Sequence, residues 1–125
     1  MREILFRGKR ADNGKWVEGH YGEYYSGKEN VSCISIPKET ISGSLCYDVI
    51  PKTVGQYTGL CDKNGTKIFA GDILKGLYAN GNAEVEIING SWVGYAGKGW
   101  TDIGYVVDRV EVIGNIHDNP ELLNK

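Results

Sequence analysis

Proline is scarce in this sequence, with three residues in 125 at positions 37, 51 and 120, and no tract is of low complexity. The chain therefore has no composition suited to a proline-rich linker or a PPII recognition tail. Long apolar runs are missing as well. The amino-terminal run Ile4 to Phe6 falls far short of the ~7–15 residues of a signal peptide. Nothing approaches the ~18 of a membrane-spanning helix. These absences predict a cytoplasmic protein with no membrane contact. An excess of basic residues is also lacking, since fourteen Lys and Arg stand against sixteen Asp and Glu, for a net charge of -2. That balance disfavours a DNA-coating or membrane-surface protein.

Cysteine is sparse and unpatterned, at positions 33, 46 and 61, with no C-x-x-C. A disulfide framework is not indicated, and a zinc site normally shows a close ligand pair. A set of Cys33, Cys46 and Cys61 with His20 or His117 would need the fold to gather them. Cys33 and Cys46, in apolar strands, read better as small core residues.

Glycine is abundant instead, with 18 residues, about twice the usual share of ~7%. Four Asn-Gly pairs, at 13, 64, 80 and 89, have the chemistry of tight hairpin turns. Between the turns the pattern has period two. Ala83, Val85 and Ile87 alternate with Glu84 and Glu86, a strand with one face inward and the carboxylates in water. Short strands are predicted over 3–7, 15–21, 31–36, 45–50, 56–60, 66–70, 72–78, 83–88, 91–95, 102–107 and 109–115. Loops are predicted over 25–30 and 96–101. Only residues 119–123 look helical, with Asn119 as N-cap and Pro120 at the first position.

The expected fold is all-β with one short C-terminal helix, built around a small SH3-like barrel of short antiparallel strands. Residues 1–125 are expected to form a single domain, with room for two closely packed β lobes, about 1–50 and 51–125.

Reactive chemistry is hard to find. No phosphate loop exists, since residues 94–98 (GYAGK) have neither the spacing nor the Ser or Thr. Asp62 and Asn64 open like a calcium loop, but the glycine is misplaced and Ile73 stands where the bidentate Glu belongs. His20 and His117 belong to no nucleophile motif. The sequence thus predicts no enzyme and no catalytic, cofactor-binding or metal-binding residues.

Two surfaces remain. Trp92, Tyr95, Trp100 and Tyr105 crowd two glycine-rich turns near the carboxyl end. Amphipathic rings populate interfaces as well as cores, so part of this cluster is expected to meet a protein partner or a second copy. The alternative is nucleic acid held by Arg7, Lys9, Arg10, Tyr24 and Tyr25 on the first hairpins, through phosphate neutralisation and base stacking. Glu18, Glu23 and Glu29 in the same region oppose it.

Residues 54–74 (VGQYTGLCDKNGTKIFAGDIL), the opening MREILFR and the closing stretch 111–123 (EVIGNIHDNPELL) resemble the YopX family of phage and prophage proteins. Cys61 and Ala70 depart from the residues more usual there. The resemblance implies a small β-rich protein of a tailed phage or prophage, acting in the cytoplasm of its bacterial host. It carries no catalytic or binding residue onto this chain. Within the motif, Asp62 to Gly65 reads as a turn in which Asp62 accepts backbone N–H groups.

Overall fold

The computed structural model describes residues 4–37, 44–79, 81–97 and 99–123. The chain divides into two compact units, Met1–Gln56 and Tyr57–Lys125.

In the first unit β1 (Phe6–Lys9) pairs antiparallel with β2 (Trp16–Ser26), β2 with β3 (Glu29–Pro37), and β3 with β4 (Ser44–Asp48). The stretch over 25–30, expected as a loop, is instead the tip of a long hairpin. Tyr25 faces Asn30 and Ser26 faces Glu29, which leaves Gly27 and Lys28 as a two-residue turn. After a 3₁₀ turn over Pro51–Thr53, Gly55 and Gln56 at the start of β5 (Gly55–Cys61) pair with Arg7 and Phe6. Ile34 and Val49 are buried, as is Cys33. Cys46, expected in the core, is exposed, because it lies on β4, where only β3 covers one side of the strand.

In the second unit β5 pairs with β6 (Lys67–Phe69), and Tyr57 and Phe69 hold their rings 5.4 Å apart. A five-stranded antiparallel sheet follows in the order β10-β9-β8-β7-β11, comprising β7 (Asp72–Tyr78), β8 (Gly81–Ile88), β9 (Ser91–Ala96), β10 (Gly99–Asp102) and β11 (Glu111–Asn115). Its core contains Ile68, Leu74, Leu77, Ala83, Val85, Ile103, Val106 and Val110, with Trp92 and Val112 packed against it. Gly94 lets β9 approach closely. A Cβ there would collide with Leu77 and press on Ala83.

Among the described residues the strands form open antiparallel sheets, and no closed SH3-like barrel of the kind expected is seen. In the first unit one bridge, Arg10 to Val49, joins the end of β1 to the residue after β4, which is too little to make a continuous wall. The predicted strand over 102–107 is also absent. Asp102 accepts the N–H of Gly104 at 2.9 Å, and the chain turns as 3₁₀ over Ile103–Tyr105. The carboxyl-terminal helical stretch is present as 3₁₀, over Pro120–Leu123.

Candidate interaction surface

The Asn89-Gly90 turn fixes the geometry of the carboxyl-terminal surface. Asn89 has φ 52° and Gly90 φ 83°, the left-handed pair that a two-residue hairpin requires. Ile88 then faces Ser91, and the ladder runs back to set Glu84 opposite Tyr95. On the other side of β9, Tyr95 faces Trp100. Glu84, Tyr95 and Trp100 thus form one row across three strands, all on one face of the sheet, because directly opposed residues share a face.

Trp100 is 50% exposed and Tyr95 36%. The Tyr95 hydroxyl donates to the carbonyl of Gly97 at 2.7 Å, which fixes its ring beside the β9–β10 turn. Trp92 does not join them. It lies three residues from Tyr95, an odd number, so it turns to the opposite face, faces Ile87 and packs against the core. Tyr105, in the 3₁₀ turn, is 86% exposed. The expected foursome is therefore a paired Tyr95 and Trp100, a core-facing Trp92 and an outlying Tyr105.

Beside the row lies a cleft of about 360 Å³, lined by Asn82, Glu84, Tyr95, Gly97 and Leu123 among others. The Asn82 side chain donates to the carbonyl of Leu122 at 2.9 Å, tying the terminal 3₁₀ turn to β8 as one wall. Glu84 is half-buried rather than fully solvated. Burial raises its carboxyl above the usual range, and the neighbouring Glu86 adds to this through charge and a hydrogen bond. Sequence reasoning missed Glu84 as a surface partner of Tyr95. Counting residues back from Asn89-Gly90 would have found it.

The basic hairpin residues are engaged within their own unit. The Arg7 guanidinium lies 4.8 Å and the Lys9 ammonium 5.9 Å from the centroid of Trp16. Arg10 sits 4.2 Å over Tyr47 and is gripped by both oxygens of Asp12. That pair holds Arg10 above its ordinary value and Asp12 below. Tyr24 donates its hydroxyl to Asp48 at 2.7 Å. Tyr25 is 76% exposed but falls on the opposite strand face from Tyr24, its neighbour in sequence. The structure thus divides this expected set between two faces. Among the described residues no three His, Cys, Asp or Glu side chains gather as a metal site, and no helix is long and apolar enough to cross a membrane.

The turn chemistry of residues 62–72 is architectural. Asp62 is buried and accepts N–H groups from Asn64, Thr66 and Val112, each at 2.9 Å. Asp72 accepts from Phe69 at 2.7 Å. The family model described as YopX protein matches residues 5–124. The chain belongs to the YopX family. No curated protein matches it. Among solved structures the chain is similar to protein EF1440 from Enterococcus faecalis, with 24% identity and a TM-score of 0.61 over 99% of this chain and 100% of that one. At that identity the likeness is one of fold. The YopX motif residues Asp62 and Asp72 thus hold the architecture, while Tyr95 and Trp100 lie outside the motif.

Proposed function

We propose that this YopX-family protein is a non-enzymatic protein-interaction module, encoded by a phage or prophage and acting in the cytoplasm of the bacterial host. It docks partners, a second copy included, through the β9–β10 surface. The observation that carries this reading is the Tyr95–Trp100 pair, two amphipathic rings directly opposed and both accessible on the outermost hairpin of the sheet. Rings of this kind combine large contact area with little side-chain entropy to lose, and they anchor interface hot spots.

The nucleic-acid alternative has less support. A guanidinium already stacked on tyrosine and paired with Asp12 must give up those contacts to meet a phosphate.

Light scattering at two protein and two salt concentrations, with absorbance at 260 nm, tests the two readings on the wild type and Trp100→Ala. Growth of mass with concentration, without nucleic acid and weakened in the variant, supports docking. A monomer that carries nucleic acid released by salt supports the alternative.

A further inference from the structure

We infer that the cleft between Tyr95 and the terminal 3₁₀ turn receives an arginine or lysine side chain from an extended basic segment of a partner protein. This rests on the interaction reading above and names the chemistry of what docks.

The argument starts from the strand register. The row Glu84–Tyr95–Trp100 is followed on the same face by Glu86–Val93–Asp102. Glu84 and Tyr95 line the cleft itself, while Trp100, Glu86 and Asp102, whose carboxylate accepts the N–H of Gly104, lie beside it on the same face. A π face attracts a cation, tryptophan most strongly, and a carboxylate beside the ring completes the recognition of a guanidinium or ammonium. The nearby cation Lys75 is already set against Glu111 at 3.8 Å. Among the described residues no Lys or Arg lies over Tyr95 or Trp100. The first unit, by contrast, seats Arg7 and Lys9 over Trp16 and Arg10 over Tyr47.

The cleft is preformed in two ways. Tyr95 is fixed through Gly97, and the opposite wall is tied down through Asn82 and Leu122. Its volume of about 360 Å³ sits at the low end for ligand sites and suits one long side chain rather than a whole cofactor. Glu84 lines the cleft and is crowded by the neighbouring Glu86, so a cation set against Glu84 relieves that repulsion. The segment lies across the face, over Trp100 and Tyr95, because a strand added beside the edge strand β10 would stand about 10 Å from β9, too far for its side chain to reach the cleft. An acidic partner, or a nucleic-acid backbone, meets the wrong charge.

The test uses the full chain and a dye-labelled peptide of alternating serine and arginine, read by fluorescence polarisation. A serine–glutamine peptide of equal length is the control. Saturable binding of the arginine peptide alone is expected, weakened at least tenfold by Glu84→Gln and by Trp100→Ala. Glu29→Gln removes the same charge from an exposed site on the first unit and should leave binding within twofold of wild type. Absence of saturable binding, equal loss in the Glu84 and Glu29 variants, or indifference to Trp100 overturns the inference. If the peptide fails while Trp100-dependent self-association persists, the basic-segment inference falls and the docking reading stands. If association is also indifferent to Trp100, both fall.

Discussion

The carboxylate of Asp62 accepts the backbone N–H of Val112, fifty residues further along the chain, at 2.9 Å. The same side chain closes its own turn through Asn64 and Thr66, while Gly65 takes a φ of 85°. One buried acid therefore pins the YopX motif turn to β11. Burial acts to raise its carboxyl, but the N–H groups of Val112, Thr66 and Asn64, together with the charge of Lys63, outweigh that and hold it below the usual range.

Asp62→Ala is expected to cost about 2–4 kcal/mol, since it leaves buried donors unpaired. The stabilisation from the depressed carboxyl is fully present above the unfolded-state value of about 3.9 and is lost as the pH falls through the lower folded value. Urea midpoints of wild type and variant at neutral pH and in strong acid check both claims. The gap between them should narrow in acid.

Glu84 has the opposite sign. Its carboxyl is raised by burial and then by Glu86, so its charged form is disfavoured in the folded state. That penalty is present in full above the raised folded value and relieved as the pH falls through it. Glu84→Gln is therefore expected to stabilise the protein slightly at pH 7, by no more than about 0.5 kcal/mol for a half-exposed site. Thermal melts at pH 7 and at pH 4 should show the gain in the first and its disappearance in the second.

Trp92 and Trp100 should separate stability from docking. Trp92 packs against the core, and Trp92→Ala is expected to cost about 2–3 kcal/mol. Trp100 is half in solvent, and its replacement by alanine should cost about 0.5–1 kcal/mol through the lost Tyr95 pair. Denaturant midpoints of the two variants measure the difference directly.

Gly76 has a φ of 98°, and a Cβ there would collide with the carbonyl oxygen of Arg109. Gly76→Ala is expected to destabilise by about 2 kcal/mol or more, combining backbone strain with the clash. Urea unfolding checks it. A variant as stable as wild type would mean that the 75–77 backbone adjusts freely.

Much of this fold was legible because turn chemistry is local. Asn89-Gly90 announced the β8–β9 hairpin, and Ala83 and Val85 announced its inward face, whereas Ile87, expected inward with them, is exposed. Asp62 to Gly65 forms the turn that its sequence predicts. Errors arose where tertiary contacts or short-range capping override pattern. Residues 102–107 alternate like a strand, yet the Asp102 side chain captures Gly104 and ends it. The glycine-bearing stretches at 25–30 and 96–101 looked like loops, but their flanking residues pair across tight tips. Closure into a barrel depends on strand tilt and stagger, which no short motif records. For the site, proximity along the chain gathered four aromatics, whereas the period of two in β9 sends Trp92 and Tyr95 to opposite faces. Glu84 was hidden because it is close to Tyr95 only through register.

The most direct test of the docking surface places a photo-crosslinking residue at position 100 in cells that produce the protein, with a second variant carrying it at position 87. Ile87 is 56% exposed on the opposite face of the sheet. A protein adduct from position 100 and none from position 87 is the predicted result. No protein adduct at 100, equal adducts at both positions, or crosslinks to nucleic acid alone would contradict the account.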